Sequence, residues 1–180
     1  MTSQTDSNID VKLYLLFIPV AYFSYLFHEF GHWIIGEILG NDMAYSLNYV
    51  WAKNGHYLDA SHDLYVSIGG PLFTIFQTMI FLLILEKYRN IYLYPFLFFP
   101  MFMRFFSLVF GGFSQQDEAR ISAILEIGSY TIAILVLLIL FLLVFRASQI
   151  LRIELKTNGF FLTMSTLSQI LVIWTYKMIL

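Results

Sequence analysis

His28, Glu29 and His32 stand within one apolar run, Tyr25-Leu26-Phe27-His28-Glu29-Phe30-Gly31-His32-Trp33-Ile34-Ile35. On a helix, residues four apart share a face, so both imidazoles can turn a nitrogen toward one metal ion. Glu29 is one step from His28 and three from His32, close enough to hold and deprotonate a water at that ion. Two neutral imidazoles for zinc and a carboxylate as general base make up the chemistry of an H-E-x-x-H sequence. The plainer alternative is a chance match, with both histidines hydrogen-bonded inside a core. Burying two histidines and a glutamate in hydrocarbon is costly, however, and such residues are functional candidates by default.

A catalytic zinc takes three protein ligands and leaves one position for water. The chain has no cysteine, which excludes disulfides and thiolate ligands, so the third ligand must be His, Asp or Glu. Asp117 is the preferred choice and Glu118 its substitute, both at the mouth of an apolar stretch. Glu37 lies five residues beyond His32 and points away from the histidine face. Glu126 lies deeper in the next apolar stretch, and His56, Asp59, His62 and Asp63 lie in the loop after the motif. Asp117 also has a purely structural explanation. Ser114-Gln115-Gln116-Asp117 ahead of an apolar run fits a capping box with Asp in place of Glu, and a helix start favours a carboxylate.

The elements that must position these groups are membrane spans. Of 180 residues, 59% are hydrophobic and only 12% charged, against about 25% charged in soluble domains. The net charge of -2 points to neither a nucleic-acid partner nor a basic membrane-binding surface. The reading is an all-α polytopic membrane protein in contact with the lipid bilayer. It has about five transmembrane helices and a small β-hairpin or re-entrant element after the first.

Residues 1–10 form a polar tail without the basic start of a secretory signal, and residues 11–180 form a single transmembrane domain. The first span runs from Val11 to about Leu39, longer than the roughly 20 residues that cross a bilayer, and stops at Gly40-Asn41. It carries the motif and is therefore retained.

Residues 44–51 and 56–58 favour strands, and Asn54-Gly55 between them is a hairpin signal. A strand edge beside a hydrolytic site could pair with an extended peptide; the alternative is an amphipathic loop in the headgroup region. A second span, about Asp63 to Leu85, is interrupted by Gly69-Gly70-Pro71. That interruption is either a helix kink or a wall of the site. Ile91 to Phe110 is expected to cross, then Ile121 to Phe145 with Glu126 in its first turns. A basic connector, Arg146 to Asn158, leads to a shorter fifth span, Gly159 to about Trp174. With five spans, Lys12, Lys87, Arg89, Arg146, Arg152 and Lys156 share one side, against Lys53, Arg120 and Lys177 on the other. That bias favours a cytoplasmic amino terminus.

These residues together resemble the site-2-protease class of intramembrane zinc metalloproteases over roughly residues 22–122. The resemblance is carried by His28-Glu29-Phe30-Gly31-His32, the strand-like stretch after it, Gly70-Pro71 in the next helix, and an aspartate further on. It implies that His28, His32 and Asp117 bind Zn2+, that Glu29 activates water, and that Gly70, Pro71 and the position three residues on help hold substrate. Two departures stand out. Thr74 replaces the family's usual asparagine, and Asp117 sits in Gln116-Asp117-Glu118 instead of Leu-Asp-Gly.

The expected function is an endopeptidase acting on membrane-embedded protein substrates. The rivals are a non-proteolytic metal-binding membrane protein (a transporter subunit, sensor or inactive relative) and a structural subunit with a coincidental motif.

Overall fold

The computed structural model describes residues 10–111 and 116–179. Residues 1–9 of the expected tail, and Ser114 and Gln115 of the expected capping box, lie outside them. Helix α1, Val11–Ile38, is the axis of the molecule. Asp10 caps it, its carboxylate accepting from the Leu13 N–H at 2.9 Å and from the Tyr92 hydroxyl at 2.7 Å. The helix stops where the sequence predicts: Gly40 turns at φ +85°, and the Asn41 side chain donates back to the Gly36 carbonyl at 3.1 Å.

Strands β1, Met43–Tyr45, and β2, Val50–Ala52, form an antiparallel hairpin that pairs Met43 with Ala52 and Tyr45 with Val50. The turn differs from expectation. It is made by residues 46–49, closed by the Ser46 N–H donating to the Tyr49 carbonyl at 2.8 Å. Asn54-Gly55 instead turns the chain after β2, with Gly55 at φ +79°. Two side chains explain the shift. The Glu37 carboxylate accepts from the Met43 N–H at 2.8 Å and fixes the start of β1. Asn41 accepts from the Leu58 N–H at 2.8 Å, holding the 56–58 segment off the sheet.

Helix α2, His62–Tyr88, crosses α1 at the two glycines Gly31 and Gly69. A Cβ on Gly69 would lie 2.7 Å from the Gly31 carbonyl carbon, so only glycine lets the backbones meet this closely. A 3₁₀ turn at Ile91–Leu93 leads into α3, Pro95–Phe110, with Pro95 in its first turn. A short helix α4, Asp117–Ile124, follows, then α5, Thr131–Leu151, and α6, Leu155–Ile179.

The expected fourth span from Ile121 is therefore two helices. Glu126 at φ +56° and Gly128 at φ +85° turn the chain between them, and Glu126 is an exposed turn residue. Glu126, Gly128 and Ser129 interrupt the apolar pattern at this joint, and their turn chemistry decides the break. The expected basic connector shrinks to residues 152–154, with Arg152 at φ +53° closing α5. Arg146 stays helical and donates to Glu86 at 3.3 Å.

Among the described residues, five segments are long and apolar enough to cross a membrane: Val11–Ile38, His62–Tyr88, Ile91–Phe110, Thr131–Leu151 and Leu155–Met178. Large side chains such as Leu135, Leu138, Phe141 and Phe145 on α5 lie about half exposed, as suits a face turned to lipid. The apolar core gathers around the first turns of α1, where Leu13 and Phe17 meet Leu85, Leu97, Phe98 and Phe161. A second cluster, Val20, Ala21, Tyr25, Phe99 and Met103, continues it. Beyond Tyr25 the buried face of α1 turns polar.

A candidate metal centre between α1, α2 and α4

His28, Glu29 and His32 are all buried, 4%, 7% and 6% exposed. Each imidazole is oriented from behind. The Nδ1 of His32 donates to the Val66 carbonyl, which can only accept, at 2.6 Å. The Thr74 hydroxyl donates to the Gly70 carbonyl at 3.0 Å. It therefore accepts from His28 Nδ1 at 2.8 Å. The Gly70 N–H also approaches His32 Nδ1, but at 3.3 Å against 2.6 Å for the Val66 carbonyl; with the shorter contact deciding, both rings carry their proton on Nδ1 and present the Nε2 lone pair forward.

Those lone pairs converge with a carboxylate. His28 Nε2 and His32 Nε2 are 3.2 Å apart, and Asp117 Oδ2 lies 3.1 Å from the first and 3.4 Å from the second. Ligand atoms at zinc's usual bond lengths in a tetrahedron stand about 3.3 Å apart. Three acceptors this close repel one another unless a cation lies among them, so the donor set fits a divalent metal.

The other acidic candidates are engaged elsewhere. Both oxygens of Glu118 accept from Arg104, through Nε at 2.9 Å and through Nη2. Glu37 holds β1, Asp59 accepts from Ser61, and Asp63 faces Arg120 at 3.9 Å. His56 is exposed, and His62 meets Asn41. The helix start at Asp117 is capped by Gln116 in extended conformation, without a side-chain cap bond.

Gly70, Pro71 and Thr74, expected to hold substrate, are buried behind the imidazoles and are not among the residues lining the cavity. A Cβ on Gly70 would fall 2.6 Å from His28 Nε2. Thr74 accordingly orients a ligand. Replacing it with valine keeps its shape and removes the acceptor for His28 Nδ1. Metal affinity should fall about 10–100-fold, measured by competition with a chromogenic chelator, while Thr74→Ser should hold metal normally.

In front of the centre opens a cavity of about 1210 Å³, lined by Glu29, Tyr25, Arg104, Asp117, and Val50 and Trp51 of β2. Glu29 makes no hydrogen bond or ion pair among the described residues. A two-stranded sheet leaves each strand one outer edge, and Val50 and Trp51 of β2 lie along this wall.

Among the lining residues without a role in the sequence reading, three are polar and buried: Arg104, Tyr25 and Gln169. Arg104 gave the clearest signal, a lone charge inside an apolar segment. Tyr25 accepts from the Gln169 amide of α6, whose Oε1 has no partner among the described residues. Neither stands out from its neighbours in the sequence.

Comparison with known protein families, curated proteins and solved structures finds no match to this chain.

Proposed function

We propose that this chain is an intramembrane zinc endopeptidase similar to the site-2-protease class, hydrolysing peptide bonds of membrane-embedded proteins. One observation carries the reading: the two Nε2 lone pairs and Asp117 Oδ2 converge within 3.4 Å, beside an unpaired Glu29 at the wall of a large cavity. A divalent cation held there supplies Lewis acidity and lowers the pKa of water. His28, His32 and Asp117 hold it, with Val66 and Thr74 fixing the rings. Glu29 takes a proton from the attacking water and passes it to the departing amine.

A substrate segment must leave its helix to expose a peptide bond, and the outer edge of β2 offers the backbone partners it gives up. The lysine and arginine bias favours an amino terminus in the cytoplasm. Hairpin and α4 then lie on the opposite side, with the centre in the half of the membrane nearer to them.

The test is elemental analysis of detergent-purified protein, paired with hydrolysis of an unstructured reporter peptide with and without 1,10-phenanthroline. The expected result is about one zinc per chain, lost in His28→Ala and Asp117→Ala but kept in Glu118→Gln, with chelator-sensitive hydrolysis. Zinc without hydrolysis would leave the non-proteolytic metal-binding reading. No zinc, and none taken up on addition, would leave a structural membrane protein.

A further inference from the structure

A guanidinium stands at the edge of the candidate metal centre, and most of its hydrogen-bonding capacity is already committed. Arg104 is 8% exposed on α3. Its Nε donates to Glu118 Oε1 at 2.9 Å, and its Nη2 donates to Glu118 Oε2 and to Gln116 Oε1. Three of the five N–H groups of an arginine are thus spent in holding the fork in place. A bidentate carboxylate leaves the plane of the guanidinium little freedom.

The remaining two protons are on Nη1. Its only hydrogen-bond partner among the described residues is His28 Nε2 at 3.3 Å. That nitrogen's lone pair is directed at the converging ligand set, so a cation there would take it up and leave Nη1 without an acceptor. Nη1 would then face whatever else is bound beside the ion, from a residue that lines the cavity. The Thr74 hydroxyl on α2 is spent between His28 and Gly70.

We infer that Arg104 is the oxyanion-binding residue of this site, with Glu118 as the residue that positions it. The inference rests on the peptidase reading. As the water oxygen bonds to the carbonyl carbon, the π pair of the carbonyl moves onto its oxygen. Nη1 meets the charge that collects there with hydrogen bonds fixed in advance. When the C–N bond breaks, that pair returns to re-form the carbonyl, and the amine leaves with the proton delivered by Glu29.

The experiment uses full-length protein loaded with cobalt(II), whose visible spectrum reports the metal's surroundings, and inorganic phosphate as the anionic probe. The variants are Arg104→Lys, Glu118→Gln, Tyr25→Phe and the double variant Arg104→Gln with Glu118→Gln, which removes both members of the buried ion pair together. Cobalt uptake and the phosphate-free spectrum should match wild type in the double variant, so the ligand set is intact. Phosphate affinity should fall at least about tenfold there, on the scale of losing one preorganised oxyanion donor. Arg104→Lys should not restore it, because a lysine cannot keep both the carboxylate fork and a second donor.

Phosphate binding within about twofold of wild type in the double variant would overturn the role of Arg104 and leave the metal centre standing, on the same scale. So would a cobalt-loaded wild type that ignores phosphate, or a loss confined to Tyr25→Phe, which would move the role to that hydroxyl. Failure of wild type to take up cobalt would overturn this inference and the peptidase reading together.

Discussion

Glu29→Gln should leave the metal in place and lower peptide hydrolysis by about 10²–10⁴-fold, the usual contribution of a positioned general base. Glutamine has the shape of glutamate and no proton affinity at the carboxamide, so what is lost is the base alone. Glu29 touches none of the three ligand side chains through a hydrogen bond or ion pair, so their geometry does not depend on its charge. The substitution also removes a buried carboxylate that no partner neutralises, so thermal stability should hold or rise. Zinc content, hydrolysis rate and the thermal midpoint, measured on one preparation, separate base from scaffold. Wild-type hydrolysis would remove Glu29 from the reaction. Loss of zinc along with activity would recast it as a residue that builds the centre.

Gly70→Ala should cost the protein its metal as fully as His28→Ala does. The added methyl would sit 2.5 Å from His28 Cε1 and 2.6 Å from its Nε2, well inside van der Waals contact. The rings cannot swing back, since Val66 and Thr74 hold them from behind, and α2 cannot withdraw while Gly31 and Gly69 interlock. Relief must come from moving the ligand atoms, and a zinc site tolerates only about 0.2 Å of error in its bonds. The strain itself, roughly 1–3 kcal/mol for an overpacked site, is tolerable for a fold of this size. The expected outcome is a folded helical protein with little zinc. An alanine variant with full metal content would mean that the two helices stand further apart than described.

What the sequence made legible follows from how local each signal is. His28, Glu29 and His32 are set by the pitch of one helix, and the five crossing segments by long stretches of uniform hydropathy. Asp117 was named with Glu118 as its substitute; Arg104, 14 positions before Glu118, engages the Glu118 carboxylate, while Asp117 lies beside the two histidines. Which carboxylate a cation takes is a matter of helix approach, not spacing. Thr74 was placed beside substrate because position in a motif says nothing of which way a hydroxyl faces. The hairpin was foreseen with the wrong turn, since Glu37 and Asn41 reach across from the end of α1 to set its register. The break between α4 and α5 was not foreseen in a mostly apolar run, because one glycine and a glutamate in left-handed conformation suffice to turn a chain.

The candidate third ligand sits on a short helix outside the crossing segments, 89 positions from His28. A cation shared between them is therefore a fastener as well as a reagent, tying the start of α4 to the middle of the bundle. Mass action makes that bond adjustable: free metal at a hundred times its dissociation constant adds about 2.7 kcal/mol to the native state. Chelation would act here much as reduction acts on a disulfide, loosening architecture and chemistry in one stroke.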